Sequence, residues 1–507
     1  MPEAGTSGNI ETYDFNCSGW GAGSITATSG TAAVLANKGY TTIKGGWFTY
    51  ASGPAIQINA SDVRIEGNTV DGGDQGIILT ATSERDRVVI TGNTVQNVQG
   101  NGSSDGSAAG IYMLHTHASN RFEWDDLTIS NNTLINNLQG GINLKCDYTA
   151  SVCIFNRLTI TGNAVLENDN TGIVVQDCYV SGAASCADVD SYLDGPADFV
   201  DLVVTDNTVL RQTTGGGIAI YGCVPSTGDY GKCQITGNES SYNAGVIGGI
   251  DVFNSSYITV ANNRTDWNTT TVIDGNGILI DYGNRYVKVY GNRASNNVGK
   301  AGTDNSGVGI MCLKCEDVSI YSNFGSGNKA GMFFSGAAPF GESNISISHV
   351  TFIGNLDYGI YVDNSQADSI TLKNSVLTGG GAVCLFAEAS GTAQTEDYNA
   401  LGCATRDNYD LANVNDWTDG AASFVSRVLL NAAGQPLVGS ALLGAGDALG
   451  ISADVNGDAF YTPPDIGAFN RTSCYLRAAD GLKNPARMRT DVLTRCGGIP
   501  SRYPEGL

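Results

Sequence analysis

The sequence predicts an all-β solenoid, a parallel β-helix of about ten to twelve coils. Three observations support this prediction: two strand-like motifs recur along the chain, their spacing is nearly regular, and the composition favours turns. Of 507 residues, 67 are Gly and only 11 are Pro, and hydrophobic residues make up 41%. A chain of this length would ordinarily form two or three domains, but a repeat architecture extends one continuous core along an axis.

The first motif alternates apolar and polar residues and ends on a small residue and Asn, as in Val63-Arg-Ile-Glu-Gly-Asn68. The period-two alternation predicts a strand with one buried face, and the ending predicts a turn. We expect the asparagines of successive coils to stack in a ladder that satisfies the turn backbone. The motif recurs at 63–68, 88–93, 127–132, 158–163, 202–207, 233–238, 258–263, 287–292 and 318–323.

The second motif is Gly-Ile-x-apolar, and it follows each copy of the first. Its glycines lie roughly 30 residues apart. A unit with two or three short strands cannot bury its apolar face alone, whereas stacked units can, at about 4.8 Å per coil. Ten to twelve coils would form a rod on the order of 50 Å long. The motif begins at Gly76, Gly110, Gly141, Gly172, Gly217, Gly249, Gly277, Gly309, Gly331 and Gly359.

Repeats of this kind resemble the right-handed parallel β-helix proteins of the pectin-lyase-like superfamily. The resemblance covers roughly residues 38 to 400, and Pro464-Asp-Ile-Gly-Ala-Phe469 resembles a closing motif of secreted members. It implies a right-handed parallel β-helix that acts on carbohydrate. The Gly-His-Gly of polygalacturonases, the Asp-Pro-His of mannuronan epimerases and the Trp-x-Asp-His of the main pectate lyases are missing. The family within the superfamily is therefore left open.

Three segments are expected: an N-terminal cap at 1–37, the β-helix at 38–404, and a C-terminal cap at 405–507 that packs on the helix. The caps would cover strand edges that otherwise invite aggregation. No apolar stretch is long enough to span a membrane.

The charge and the cysteines bear on partners and compartment. With 27 basic and 50 acidic residues the net charge is −23, which argues against nucleic acid and against a polyanionic glycan unless a cation intervenes. Thirteen cysteines indicate a secreted, disulfide-containing protein, although residues 1–7 do not resemble a signal peptide. A zinc site at Cys312-Leu-Lys-Cys315 is the rival interpretation. The close-spaced couples are Cys146/Cys153, Cys178/Cys186, Cys223/Cys233, Cys312/Cys315, Cys384/Cys403 and Cys474/Cys496.

In the second motif, two positions of each strand should point outward and form two columns along the rod. The columns mix aromatic residues with sparse charges, a combination suited to sugar rings. Long segments follow the strand in four consecutive coils and could wall a groove. The residues expected to bind substrate are Tyr112, Asn143, Gln176, Asp177 and Phe253.

Two cleavage chemistries fit these columns. Glycoside hydrolysis needs paired carboxyl groups, which Asp251 and Asp281 on adjacent coils could supply. β-Elimination at a uronate needs a base and a cation, for which Lys145, Tyr221 and His115 are candidates. Lys145 is the one cation in either column, which slightly favours a polysaccharide lyase.

Calcium is a candidate cofactor, because Asp188, Asp190 and Asp194 crowd one segment and offer oxygen ligands. The leading hypothesis is a secreted, monomeric, polysaccharide-cleaving enzyme acting along an open groove. The alternatives are a glycoside hydrolase and a non-catalytic glycan-binding adhesin or phage-type fibre.

Overall fold

The chain is a right-handed parallel β-helix, as the sequence predicts. The computed structural model describes residues 10–17, 21–22, 24–27, 32–80, 85–100, 107–115, 122–147, 153–179, 201–225, 228–272, 274–335, 344–363, 369–379, 383–387, 394–403, 405–407, 417–419, 423, 430, 435–436, 440–460 and 464–469. Most coils contribute a strand to each of three parallel sheets, in the order sheet 1, sheet 2, sheet 3 along the chain. Within these ranges there is no helix, and so none that could cross a membrane.

Sheet 1 contains the first motif and has 15 strands. They are Glu11–Asp14, Thr41–Lys44, Val63–Glu66, Val89–Thr91, Thr128–Ser130, Leu158–Thr161, Leu202–Thr205, Cys233–Thr236, Ile258–Ala261, Arg285–Tyr290, Glu316–Tyr321, Ile345–Ser348, Ile370–Lys373, Thr395–Asp397 and Thr418–Asp419.

Sheet 2 follows the Asn turn and consists of an eight-stranded and a five-stranded part, joined through bridges at Arg264. The first part is Ser24–Ala27, Trp47–Tyr50, Thr69–Asp71, Thr94–Gln96, Thr133–Ile135, Ala164–Leu166, Thr208–Leu210 and Glu239–Ser241. The second part is Arg293–Ser295, Phe324–Ser326, Thr351–Ile353, Val376–Thr378 and Ala400–Gly402.

Sheet 3 contains the second motif and has 14 strands. They are Val34–Ala36, Pro54–Ile58, Gln75–Leu79, Ile111–His115, Ile142–Asp147, Ile173–Tyr179, Ile218–Tyr221, Ile250–Phe253, Ile278–Ile280, Val308–Leu313, Ala330–Ser335, Tyr358–Val362, Val383–Ala387 and Thr405–Asp407. Two small sheets complete the described strands: Arg85–Asp86 with Phe122–Asp125 and Cys153–Asn156, and the antiparallel pair Asn16–Cys17 and Gly21–Ala22.

The β-helix extends into both segments expected to be caps. Glu11–Asp14 pairs with Thr41–Lys44 in sheet 1, and Thr405–Asp407 pairs with Val383–Ala387 in sheet 3. Fourteen strands in sheet 3 exceed the expected ten to twelve coils, and at about 4.8 Å per coil they make a rod of about 67 Å. The sequence motif missed the outer coils because their strands lack its Gly-Ile and Gly-Asn signals.

Equivalent residues of successive coils lie in register and fill the core as columns. In sheet 1, Ile65 pairs with Ile90, which pairs with Ile129, and in sheet 3, Ile142 pairs with Ile173. These side chains are fully buried, and each contributes about 1.5–3 kcal/mol through burial. Because every coil repeats the same register, a functional group on one coil has a fixed place relative to its neighbours.

The predicted asparagine ladder is confirmed at the edge between sheets 1 and 2. The backbone N–H and side-chain amide of Asn132 both donate to Asn163 Oδ1 at 3.0 Å, and Asn163 Nδ2 donates to the carbonyl oxygen of Ile129 and to Asn207 Oδ1. The residue before each ladder asparagine has a positive φ, as at Gly162, where Gly avoids strain. A second ladder, which includes Asn137 and Asn168, follows the sheet 2 strands.

Two further edges carry residues of positive φ. At the edge between sheets 3 and 1, oppositely charged residues pair from coil to coil: Arg87 Nε donates to Asp62 Oδ1 at 2.6 Å, and Arg157 Nε to Asp126 Oδ1 at 2.5 Å. At the edge between sheets 2 and 3 the equivalent positions are mostly Asn and Gly, such as Asn97, Asn136 and Gly354.

The segments 440–460 and 464–469 pack on the outer face of sheet 2. Phe469 contacts Phe324 edge to face at 5.3 Å between ring centroids, and the backbone N–H of Ala468 donates to Thr351 Oγ1. Asp465 of the closing motif is fully buried and accepts a hydrogen bond from the backbone of Gly444.

Three of the expected cysteine couples form disulfides: Cys223–Cys233, Cys312–Cys315 and Cys384–Cys403. The zinc interpretation of Cys312 and Cys315 is therefore wrong in this structure. The other couples include residues or side chains outside the described ones.

We predict that Asn163→Ala lowers the free energy of unfolding by roughly 3 kcal/mol, because the N–H groups of Asn132 and the carbonyl of Ile129 lose a buried partner. The measurement is the urea midpoint and slope, with Thr159→Ala on the outer face of the adjacent strand as control. A loss below about 1 kcal/mol would show that the ladder does not hold the coils.

Candidate active site

Asp251 and Tyr221 meet on the outer face of sheet 3. The register aligns Ala219 with Asp251 and Tyr221 with Phe253, so Tyr221 and Asp251 are diagonal neighbours on adjacent coils. Tyr221 Oη donates to Asp251 Oδ2 at 2.9 Å. Asp251 is 4% exposed, and its Oδ1 atom has no hydrogen-bond partner within the described residues. A buried carboxyl oxygen without a donor is costly unless the group is neutral or a ligand supplies a partner.

The pKa of Asp251 is raised well above its usual value. Burial is the largest cause, the charge of Asp281 adds to it, and the hydrogen bond from Tyr221 opposes it. Desolvation penalises the charged form of an acid, so burial favours the protonated form of Asp251. The pKa of Tyr221 is also raised, by burial and then by the charge of Asp251, which makes Tyr221 a hydrogen-bond donor and a poor base.

Asp281 directly follows the strand Ile278–Ile280, beside Phe253 in the neighbouring coil, and is partly exposed. Its backbone N–H donates to Val252, and its Oδ1 accepts from the backbone N–H of Tyr282 at 2.8 Å. Burial raises the pKa of Asp281 to about 7, while the Tyr282 N–H and the charge of Lys314 lower it.

The two carboxyl groups are neighbours, as the sequence predicts. Asp251 and Asp281 lie on adjacent strands two residues apart in register, so strand geometry places their Cα atoms about 8 Å apart. Like charges at close range raise each other's pKa. The two carboxyl groups thus lie on neighbouring strands in different environments, Asp251 enclosed and Asp281 partly exposed.

Sequence reasoning missed a third carboxyl group, Asp274. It lies in the turn before Ile278–Ile280, and its charge raises the pKa values of both Asp251 and Asp281. Burial raises the pKa of Asp274 itself to about 6. No repeat signal marks this position, since the turn residues before the glycine vary from coil to coil.

Aromatic rings line the same part of sheet 3. Tyr221 and Phe253 pack edge to face at 5.5 Å between ring centroids, and Phe253 contacts Tyr282 at 6.3 Å. Lys314 Nζ lies 4.3 Å from the centroid of the Tyr282 ring. Tyr282 and Lys314 are on turns and therefore escaped a prediction based on strand positions.

Lys145 and Gln176 are in the expected column. Lys145 pairs with Gln176, which pairs with Tyr221, and the first two are partly exposed. Lys145 therefore lies two coils from Tyr221, about 10 Å along the axis.

One expectation about exposure is wrong. The first outward column was predicted to be a solvent-facing binding surface, but Tyr112, Asn143 and Asp251 are all buried, as is Phe253 of the second column. Strand alternation predicts which side chains leave the core and not what packs over them. Asn143 Oδ1, like Asp251 Oδ1, has no hydrogen-bond partner among the described residues.

Several candidates cannot be placed. The side chains of His115 and Asp177 lie outside the described ones, and so do Asp188, Asp190 and Asp194, the candidate calcium ligands. Calcium binding stays a prediction. Over the described ranges, no group of three or more His, Cys, Asp or Glu residues has a geometry that could hold a metal ion.

The fold and this acid cluster define a right-handed parallel β-helix protein with a candidate acid–base site on sheet 3. A family model described as a right handed beta helix region matches residues 76–265. Comparison with curated protein sequences gives no match.

Several solved structures share the architecture. The catalytic domain of a GH87 alpha-1,3-glucanase variant in complex with tetrasaccharides is 13% identical, with a TM-score of 0.38 over 76% of this chain and 64% of that chain. A mutant of the periplasmic alginate epimerase AlgG is 13% identical, with a TM-score of 0.35 over 67% and 77%. Pectate lyase Pel9A is 12% identical, with a TM-score of 0.32 over 83% and 88%. These low values give the likenesses no weight for function.

We predict that Asp281→Asn stabilises the fold relative to the native chain as pH rises. The folded-state pKa of Asp281 is raised to about 7, so its stabilising contribution is full below about pH 4 and is lost as pH rises through 7. Asn cannot ionise, so the difference in unfolding free energy should move in favour of the variant by roughly 2 kcal/mol between pH 4 and pH 8. Asp317→Asn, at an exposed edge, is the control, and a pH-independent difference would contradict the raised pKa.

Proposed function

We propose that this protein is a carbohydrate-active enzyme that hydrolyses glycosidic bonds of a polysaccharide. The observation that carries the proposal is the Asp251–Asp281 pair, two carboxyl groups on adjacent coils, one enclosed and the other partly exposed, whose pKa values are both raised by burial. Glycoside hydrolysis needs two carboxyl groups whose environments separate their pKa values.

Asp251 is assigned as the general acid. Its proton passes to the glycosidic oxygen as the bond between that oxygen and the anomeric carbon breaks. Tyr221 Oη donates a hydrogen bond to Asp251 Oδ2 at 2.9 Å, whereas Oδ1 is buried and has no hydrogen-bond partner among the described residues. Tyr221 is therefore assigned as a positioning residue.

Asp281 is assigned as the second carboxylate. In an inverting reaction it removes a proton from the water that attacks the anomeric carbon. In a retaining reaction it bonds to that carbon, and water then releases the sugar. Lys314 and the Tyr282 N–H favour the ionised form that either role requires.

The substrate we infer is a neutral polysaccharide, because a chain of net charge −23 repels a polyanion. Three disulfides are typical of an oxidising compartment, and we propose that the enzyme acts outside the cytosol as a monomer.

A polysaccharide lyase is the second candidate. The observation in its favour is Lys145, a partly exposed cation in the outward column that continues to Gln176 and Tyr221. Elimination at a uronate requires the carboxylate to be neutralised while a base removes the neighbouring proton. The raised pKa of Tyr221 makes it unsuitable as that base, so the hydrolase is preferred.

We predict that the native chain releases reducing ends from a neutral polysaccharide, and that Asp251→Asn and Asp281→Asn each lower kcat at least about a thousandfold. Asp363→Asn is the matched control, since Asp363 follows a sheet 3 strand at an equivalent position three coils away and bonds Ser335. Equal losses in all three variants would point to general damage. Failure to cleave any member of a neutral and acidic panel would favour a non-catalytic glycan-binding adhesin or fibre.

The lyase candidate makes a separate prediction for Lys145→Ala. If uronate elimination is the reaction, this variant loses cleavage more than a hundredfold while its melting temperature stays near that of the native chain, because Lys145 is partly exposed. Ultraviolet absorbance of the unsaturated product, followed with reducing ends, is the measurement. Reducing ends without absorbance, unchanged by the substitution, would remove Lys145 and the lyase.

A further inference from the structure

We propose that the polysaccharide crosses the rod transversely, over the two coils that carry Asp251 and Asp281, and is held by a pair of aromatic side chains at each edge of sheet 3. The proposal rests on the proposed function for the position of the reacting bond. Its own content is the direction of the bound chain and four ligand-binding residues, Tyr242, Trp267, Tyr257 and Tyr286.

The first pair lies at the edge between sheets 2 and 3. Tyr242 and Trp267 occupy equivalent positions on consecutive coils, with φ of 61° and 60°. They are 49% and 47% exposed, which is unusual for side chains of this size in a chain with a continuous core available. At the same edge, the preceding described coils carry Asn97, Asn136, Glu167 and Arg211, and the next carries Asn296.

The second pair lies at the edge between sheets 3 and 1. The rings of Tyr257 and Tyr286 stack at 4.6 Å between centroids, inclined by 19°, and Tyr286 is 38% exposed. Tyr230 packs against Tyr257 at 5.6 Å. On the next coil the equivalent residue is Asp317. The aromatic stack at this edge therefore ends at Tyr286.

Both pairs belong to the coils of the candidate carboxyl groups. One coil runs from Tyr242 through Ile250–Phe253, which contains Asp251, to Tyr257. The next runs from Trp267 through Ile278–Ile280 and Asp281 to Tyr286. The acid pair is therefore bracketed by aromatic residues along the strand direction and not along the axis.

The four residues share a backbone conformation that bulky side chains seldom adopt. All four residues have φ between 51° and 61°, a region that Asn, Asp and Gly enter readily and bulky residues do not. Other coils have Asn at the equivalent positions, for example Asn296 and Asn344. Tyr40 has the same backbone conformation, with φ 53°, so the backbone supports a ligand only together with the exposure of these rings and their place on the coils of the acid pair.

At these coils only a short connection joins sheet 3 to sheet 1. Four residues separate Phe253 from Ile258, and four separate Ile280 from Arg285. In the two preceding coils, 22 residues separate Tyr179 from Leu202 and 11 separate Tyr221 from Cys233. A chain lying across sheet 3 can therefore continue over this edge onto the Tyr257 and Tyr286 rings.

The chemistry of the four side chains indicates a ligand with flat apolar faces and many hydroxyl groups, which describes a neutral pyranose chain. Aromatic faces accept C–H groups, and Tyr hydroxyls and the Trp N–H hydrogen-bond at the rim. The nearby cations are already engaged, since Arg285 pairs with Glu316 at 2.9 Å and Lys288 Nζ lies 3.8 Å from the centroid of Tyr230. An anionic chain would gain little from them.

The test measures binding in the Asp281→Asn chain, so that cleavage does not interfere. Hydroxyethylcellulose and a soluble β-mannan are the neutral probes, polygalacturonate is the acidic probe, and affinity electrophoresis gives the dissociation constant. Two double variants are compared, Tyr242→Asn with Trp267→Asn and Tyr257→Asn with Tyr286→Asn. Asn suits the left-handed backbone, and the controls are Tyr40→Asn, at the same edge as Tyr286 with φ 53°, and Trp47→Asn, an exposed Trp of sheet 2.

We expect each double variant to weaken binding of a neutral probe at least tenfold, and each control to change it less than twofold. Loss at one edge alone, no loss at either edge, or no binding of any neutral probe would overturn the transverse arrangement. Loss of binding in Gln176→Ala without loss in the edge variants would show instead that the glycan lies along the axis. A native chain that binds through both edges and cleaves nothing would sink the proposed function and leave this inference intact.

Discussion

A buried asparagine at most of the described turns between sheets 1 and 2 fixes the position of one coil on the next, and the rest of the molecule depends on that alignment. The Asn163 side chain bonds the Asn132 N–H and the Ile129 carbonyl of the neighbouring coil and the Thr161 carbonyl of its own coil. A coil that slipped by one residue would therefore leave several polar groups unpaired in the interior. Core columns such as Ile65, Ile90 and Ile129 follow from the same register. The charge pairs along the edge, including Arg87 with Asp62, are consistent with one register and would be broken by any other.

Fixed register also explains how two carboxyl groups can become neighbours on a simple repeat. Asp251 and Asp281 need no loop to bring them together, because adjacent strands hold them diagonally. Their different behaviour comes from local surroundings: Asp251 is enclosed, whereas Asp281 is partly exposed and receives the Tyr282 N–H. The same register places the aromatic residues of both edges on the coils of the acid pair. The proposed cleavage and the proposed ligand contacts therefore involve the same two coils.

Much of this could be predicted from the sequence, and the reasons for the failures are physical. Alternation and the Gly-Asn ending predicted the strands, the ladder and the neighbouring positions of Asp251 and Asp281, because these depend on local period and on register. The burial of Tyr112 and Asn143 depends on what packs over the sheet, which strand period does not encode. Asp274, Tyr282 and Lys314 lie on turns whose length varies from coil to coil, so no repeat position identified them. Tyr242 and Trp267 could have been found as aromatic residues at positions where other coils have Asn, Glu or Arg.

We propose that the glycan chain is cleaved between Asp251 and Asp281. The most direct measurement is a crystal structure of the Asp281→Asn chain with a neutral oligosaccharide that the native chain cleaves. We expect an intact oligosaccharide that lies across sheet 3, with one glycosidic oxygen within hydrogen-bond distance of the Asp251 carboxyl group. Its sugar rings should extend toward Trp267 and Tyr286. An oligosaccharide bound elsewhere, or one whose glycosidic oxygens all lie far from Asp251, would contradict it.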